Sequence, residues 1–166
     1  MKSLQRNISA VTINNYAAVR ETSRPELPRR RVSVPIFGRP IGGFEGIQFE
    51  LAEDYANVLA ARWLCYRAAW LVDRYHDGRA SFYDAMMAAS CAKLVASEVC
   101  MKAISDAVEW FGGMGTTTDY DVQQAFRTTR QAVVAEGTRN AQKSVIALQL
   151  LGSDFAAWKR WDEAGK

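Results

Sequence analysis

The sequence predicts an all-α domain built from four helices. Two segments of about 30 residues each repeat apolar side chains at three- and four-residue steps, which is the period of a helix that buries one face. The turn between these segments is short, so the two helices should pack antiparallel. The 166 residues are 49% hydrophobic and 23% charged, a composition typical of one folded domain with a sizeable core.

Residues 1–36 are predicted to form a basic, partly irregular arm. Four prolines exclude a continuous helix across residues 24–40, although the stretch NISAVTINNYAAVR could form a short helix. Residues 1–35 hold seven Lys or Arg against two Glu, a net charge of +5. The stretch RPELPRRR has neither an aromatic residue to stack on bases nor an apolar face. We therefore expect a solvated arm, or one docked on an acidic partner, and no nucleic-acid binding.

The first long helix is predicted over residues 44–75. Arg62 and Arg67 interrupt its most apolar stretch, so no membrane span is predicted. The N-terminus has no continuous apolar segment that would indicate a signal peptide, and the cytoplasm is the expected compartment. The residues expected to form the buried face are Ile47, Leu51, Tyr55, Val58, Leu59, Trp63, Tyr66, Ala69 and Trp70.

The second long helix is predicted over residues 82–110. It follows the turn HDGRAS, in which Ser81 can cap the helix and the single histidine, His76, is expected to be solvated. Its apolar pattern runs through Met86, Leu94, Val95, Val99 and Val108. The three cysteines lack a CxxC pair and are expected to be reduced core residues, not disulfide or zinc ligands; they are Cys65, Cys91 and Cys100.

Two shorter helices are predicted nearer the C-terminus, over residues 122–129 and 139–150. The stretch FGGMGTTTDYD, which precedes them, is a loop by composition and lacks the lysine and hydroxyl residue of a phosphate-binding turn. Thr138 or Gly137 is expected to cap the last helix. By local spacing alone, Glu136 is an acid near a helix start, where the helix dipole favours negative charge.

Four motifs occur in an order that resembles the C-terminal helical domain of the acyl-CoA dehydrogenases. They are FGRPIGGFEGIQFELA, AKLVASEVCMKAISDAVEWFGGMG, AFRTTR and AEGTRNAQKSVIALQLLG, and they span residues 37–152. The resemblance implies an antiparallel four-helix bundle for these residues, between the arm at 1–36 and a C-terminal tail at 153–166.

The resemblance also implies a function, the FAD-dependent desaturation of an acyl-CoA thioester between its α and β carbons. In the family, the glutamate of a Glu-Gly-Thr turn accepts the α-proton while hydride passes to the flavin, and Glu136 matches this glutamate. No metal ligand is implied. The positions that match FAD contacts are Gly112, Gly113, Arg127, Thr138 and Asn140, with the two glycines against the FAD of a neighbouring subunit.

The sequence departs from the family pattern at several positions. Glu45 and Glu109 stand where the family usually has glutamine, and Val34 stands where an arginine reaches the FAD pyrophosphate, with Arg20 as the nearest local match. A carboxylate near a pyrophosphate removes a donor and adds like charge. The family's N-terminal helical domain and β-domain do not fit into residues 1–36, so homo- or hetero-oligomeric partner chains are expected to supply them. The alternative is a non-catalytic helical oligomerisation protein that has lost flavin binding.

Overall fold

The four predicted helices are present in the computed structural model, which describes residues 35–155. They are α1 (Glu45–His76), α2 (Phe82–Phe111), α3 (Asp121–Val134) and α4 (Arg139–Leu151), and the all-α prediction is therefore confirmed. α3 is longer than predicted because it continues through buried Thr129 into a run of good helix formers. Most of the predicted arm, including Arg20 and Val34, and most of the tail lie outside the described residues.

A two-residue β-hairpin precedes α1. β1 (Pro35–Ile36) pairs antiparallel with β2 (Arg39–Pro40). The residues between them, Phe37 and Gly38, have φ values of 52° and 80°. Two successive positive φ angles define a type I′ turn, whose twist matches that of the flanking strands. A 3-10 turn (Ile41–Gly43) then leads into α1, so the FGRP motif forms a tight reversal at the start of the bundle.

α1 and α2 pack against each other along a seam of small side chains. The buried positions of α1 follow alternating steps of four and three residues, as in the seam of a coiled coil. The facing residues of α2 recur at steps of four. Small side chains on both helices allow the backbones to approach closely. The seam consists of Val58, Ala61, Cys65 and Ala68 of α1 and Ala88, Ala92, Ala96 and Cys100 of α2.

The largest apolar side chains of α1 point away from this seam, so the predicted buried face is wrong for them. Tyr55 is exposed, and so is an outer stripe composed of Leu59, Trp63, Tyr66 and Trp70. The indoles of Trp63 and Trp70 are 65% and 56% exposed. Helices in contact through alanine lie too close together to admit indole rings between them. The seam of small residues therefore faces α2, and the outer stripe faces away from it.

α2 is the central helix, since α1, α3 and α4 all pack against it. Six of its thirteen buried positions are alanines, whereas the larger residues predicted for its core face are half-buried; these are Met86, Leu94, Val95, Val99 and Val108. Trp110 Nε1 donates a hydrogen bond to Glu50 Oε2 at 3.0 Å and joins the C-terminal end of α2 to α1. A second core cluster at this end joins α2 to α3 through Ile104, Ala107, Trp110, Phe111, Val122 and Ala125.

Both predicted N-caps are confirmed. Ser81 Oγ accepts a hydrogen bond from Asp84 N at 3.0 Å and donates one to Asp84 Oδ2 at 2.7 Å. Thr138 Oγ1 accepts a hydrogen bond from Ala141 N at 3.4 Å. Each cap satisfies a backbone donor that a helix start leaves without an intrahelical partner. The caps fix where α2 and α4 begin.

The histidine, Cys65 and Cys100 lie as predicted, whereas Cys91 is not a core residue. His76 is exposed at the end of α1, Cys65 and Cys100 are buried, Cys91 is half-buried, and no disulfide joins the three cysteines. Burial raises the pKa of the Cys65 thiol to about 11. Within residues 35–155, no helix combines the length and the apolar character needed to cross a membrane.

Candidate functional site

The acidic turn, residues 135–138, connects α3 to α4 and carries Glu136. α3 closes with a hydrogen bond from Ala135 N to Gln131 O at 2.8 Å. Glu136 and Gly137 then have φ values of 56° and 97°. A left-handed backbone costs a non-glycine residue about 1–2 kcal/mol, so the conformation of Glu136 must be imposed by the contacts around it.

Gln142 imposes part of that conformation from α4. Its buried side chain folds back so that Nε2 donates a hydrogen bond to Glu136 O at 3.2 Å. A Cβ added to Gly137 would lie 2.5 Å from the same Nε2 atom. Glycine at this position therefore serves two purposes, because it accepts the positive φ and leaves room for the Gln142 amide.

Lys93 of α2 supports the turn from the core side. Its side chain is 2% exposed, and its ammonium donates a hydrogen bond to Ala132 O in the last turn of α3. Burial lowers the pKa of Lys93, whereas the negative charge of Glu136 raises it. The ammonium thus lies close enough to the acidic turn to sense its charge.

The Glu136 side chain is itself exposed. Within residues 35–155 it makes no hydrogen bond or ion pair. The neighbouring ion pair, between Arg139 Nε and Glu98 Oε1 at 2.8 Å, is half-exposed on both sides and should contribute little to stability. The carboxylate of Glu136 is therefore held on a constrained backbone while remaining exposed.

The structure separates the predicted site residues into two groups. Thr138 and Asn140 lie beside Glu136 at the start of α4, and Arg127 is exposed on α3. Gly112 and Gly113 lie at the far end of α2 from Lys93. At 1.5 Å of rise per residue, the segment of α2 between Lys93 and Gly112 is about 28 Å long. The glycine pair and the acidic turn therefore cannot contact the same part of one small molecule.

Sequence reasoning missed Lys93 and Gln142. A signal for Lys93 was present, since it is the one lysine in an alanine-rich segment of helical period (AASCAKLVAS), where a charged residue needs a specific partner. Gln142 carried no comparable signal, because a glutamine in a first helical turn is ordinary. Among residues 35–155, no group of three His, Cys, Asp or Glu side chains could hold a metal ion.

The chain is thus an all-α helical bundle with an exposed acid on a constrained turn between its last two helices. The family described as acyl-CoA dehydrogenase, C-terminal domain, matches residues 7–151. The chain belongs to the acyl-CoA dehydrogenase family and corresponds to its C-terminal domain. The match begins within the predicted arm, upstream of the motifs that start at residue 37.

Individual relatives agree with this assignment. The chain is 40% identical over 111 residues to the short/branched chain specific acyl-CoA dehydrogenase of Rattus norvegicus, covering 67% of this chain and 24% of the relative. It is 36% identical over 115 residues to the 3-(aryl)acrylate reductase of Clostridium sporogenes, covering 69% of this chain and 28% of the relative. A probable acyl-CoA dehydrogenase structure from Mycobacterium abscessus superposes with a TM-score of 0.76 at 25% identity, over 90% of this chain and 38% of that one. The chain thus spans about a quarter of the length of these two curated relatives.

Proposed function

We propose that the chain supplies the catalytic base of an FAD-dependent acyl-CoA dehydrogenase and works together with chains that provide the remaining domains. The observation that supports this proposal best is the placement of Glu136 in a chain of this family. Its carboxylate is accessible and makes no ion pair within the described part of the chain, and its backbone is fixed by Gln142. A general base must be aimed at its carbon acid from a fixed position.

In this proposal Glu136 accepts the α-proton of an acyl-CoA thioester. FAD, when bound, supplies the acceptor for the hydride that leaves the β-carbon. The chain's own part is to hold the carboxylate on the turn and to present it to the α-carbon. The name of the Clostridium relative indicates reduction of an acrylate, and in that direction the same residue would return a proton.

The side chains near the turn fit a flavin in their chemistry. Thr138 Oγ1 accepts a hydrogen bond from Ala141 N, which leaves its hydroxyl proton free to donate to the cofactor. Asn140 and Arg127 are exposed donors suited to carbonyl and phosphate oxygens. Gly112 and Gly113 lie about 28 Å along α2 from Lys93, and following the family pattern we assign them to the FAD of a neighbouring subunit.

The full chain, co-expressed with the products of adjacent genes, tests the proposal. Glu136→Gln should reduce acyl-CoA-dependent dye reduction by about 10²- to 10⁴-fold, the usual contribution of a general base. Glu53→Gln, which changes an exposed glutamate of α1, is the matched control and should leave the rate unchanged. Retention of activity by Glu136→Gln in a complex with bound flavin would refute the assignment of the base.

A second candidate function is a non-catalytic oligomerisation protein that has lost flavin binding. The exposed outer stripe favours it, because monomeric proteins rarely leave such a contiguous apolar surface uncovered. Glu45 and Glu109 are also exposed, and their charge would oppose a nearby pyrophosphate. A flavin absorption band in the purified complex would argue against this candidate, whereas a colourless oligomer by light scattering would support it. In either case three cysteines without a disulfide among them favour a reducing compartment, and we place the chain in the cytoplasm.

A further inference from the structure

Lys93 is a buried cation whose position the bundle alone does not explain. It is among the largest side chains with less than 2% exposure, and it lies on a stripe of α2 whose neighbours are small, including Ser90 and Ser97. Removing an ammonium from water is costly unless it gains a specific partner. A core that needed only volume at this position would be more stable with methionine or leucine.

The hydrogen bond from Lys93 to Ala132 O explains why a cation lies at this position. A continuing α3 would pair Ala132 O with the Glu136 N–H group, four residues along the chain. The chain instead leaves the helix at Ala135, whose ψ is 159°, and enters the left-handed region at Glu136. Ala132 O would then have no intrahelical donor, and the Lys93 ammonium donates to it.

A cation at this position is favourable for a second reason. The last carbonyl groups of a helix carry partial negative charge, and a lysine that donates to them also interacts favourably with the helix dipole. Gln142 holds Glu136 O from the other side of the turn. The backbone around the acid is thus fixed at two points, Ala132 O by a cation from α2 and Glu136 O by an amide from α4.

We propose that Lys93 is a positioning residue for Glu136, because its ammonium caps α3 at the carbonyl where the chain must turn to present the acid. This inference rests on the proposed function for its catalytic consequence. The structural part of the inference does not depend on that function. It states that the conformation of the acidic turn depends on the charge of Lys93 and on the length of its side chain.

Lys93→Met tests the structural content in the full chain, since methionine keeps most of the volume and removes the donor and the charge. Amide hydrogen exchange at Ala135, whose N–H donates to Gln131 O at the end of α3, should accelerate at least about tenfold, because a charge-assisted hydrogen bond that holds this end of the helix is lost. Exchange in the seam, at Ala61 and Cys65, should change much less. Lys143→Met, at an exposed position of α4, is the matched control and should change neither. Uniform acceleration throughout the chain would mean that Lys93 only fills the core, and would overturn the proposal.

A second measurement remains informative if Lys93→Met does not fold. Lysine labelled with ¹³C at the ε position reports the titration of Lys93 in the otherwise unchanged protein. Because the charge of Glu136 raises the pKa of Lys93, Glu136→Gln should lower that pKa, whereas Glu53→Gln should leave it unchanged. An identical titration in all three proteins would show that the ammonium does not lie beside the acidic turn and would refute the inference.

Kinetics in the assembled complex separate this inference from the proposed function. Lys93→Met should lower kcat at least about tenfold with little change in KM, because a misdirected base slows chemistry more than binding. If Glu136→Gln abolishes activity while Lys93→Met changes neither kcat nor turn exchange, the positioning role is wrong and the proposed function stands. If Lys93→Met loosens the turn but Glu136→Gln remains active, the proposed function fails and the link between Lys93 and the turn stands.

Discussion

Replacing Gly115 by alanine should destabilise the bundle markedly. Gly115 is buried in the 3-10 turn Gly112–Thr116 that follows α2. A Cβ at this position would lie 2.6 Å from Val108 O and 2.8 Å from Phe111 Cβ. Real Cβ atoms essentially never approach so closely, and the nearer atom belongs to the backbone of α2. No change of side-chain rotamer can therefore relieve the contact.

The size of the expected destabilisation depends on which atoms must move to admit the new Cβ. Overpacking a core costs about 1–3 kcal/mol, and we expect about 2–3 kcal/mol for Gly115→Ala because a helix backbone must yield. For a chain of this size, this corresponds to a decrease in Tm of about 4–12 °C. Urea and thermal unfolding of the full chain, followed by circular dichroism at 222 nm, measure both quantities.

Gly113→Ala is the matched control in the same turn. A Cβ on Gly113 would meet nothing within 4 Å, and its φ lies outside the left-handed region. Its free energy of unfolding should stay within about 0.5 kcal/mol of the original, as for most exposed substitutions. The reasoning is refuted if Gly115→Ala is equally mild, or if Gly113→Ala costs as much. Since Gly113→Ala spares the fold, any loss of flavin affinity that it causes in the assembled complex would reflect contact with the cofactor.

Two further predictions follow from buried titratable groups. Burial raises the pKa of Asp54 above its ordinary 3.8, although the hydrogen bond from Lys102 opposes this, and Asp54 Oδ2 has no hydrogen-bond partner among residues 35–155. The folded state therefore holds the Asp54 proton more tightly than the unfolded state, and the original chain loses stability as pH rises through the raised pKa. Asp54→Asn should accordingly gain stability relative to the original chain as pH rises above 3.8 in urea unfolding, and a constant difference would contradict this. In iodoacetamide labelling at about pH 8, half-buried Cys91 should react well before Cys65, because burial raises the pKa of the Cys65 thiol to about 11. Equal rates would contradict the burial of Cys65 in the seam between α1 and α2.

The helices could be predicted from the sequence because local signals mark them. The three- and four-residue spacing gave both long helices nearly to the residue, and Ser81 and Thr138 mark the starts of α2 and α4 with hydroxyl caps. Such signals depend on the period of the helix and on its unpaired terminal amides, which are properties of neighbouring residues. The end of α3 carried no such signal, and its prediction was correspondingly short.

The orientation of α1 could not be predicted in the same way. Val58, Ala61 and Cys65 recur at steps of three and four, and Leu59, Trp63 and Tyr66 at steps of four and three, so both stripes satisfy the helical period. Hydrophobicity alone favours burial of the tryptophans. The distance between α1 and α2 determines which stripe of α1 is buried. This distance depends on the alanines of α2, which lie far from the α1 residues along the chain.

The glycine-rich loop shows a related limit. In the sequence, Gly112, Gly113 and Gly115 are equivalent members of one motif. In the structure, Gly112 ends α2 with a φ of 61°, Gly115 is required by packing, and Gly113 meets neither demand. The fold therefore accounts for two of the three glycines and places no demand at Gly113, so the stability of Gly113→Ala separates a cofactor contact from a requirement of the fold.

The structure also weakens the local interpretation of Glu136 as an acid that serves the start of a helix. Such an acid would accept a hydrogen bond from a first-turn amide, but Thr138 Oγ1 accepts that bond, and Glu136 lies two residues before the cap. The dipole of α4 acts mainly within its first turn. The left-handed backbone at Glu136 brings no benefit to α4 and is maintained by Gln142 and, as we propose, by Lys93. A left-handed residue whose exposed carboxylate makes no ion pair within residues 35–155 fits the base that we propose better than it fits a residue that serves only the start of α4.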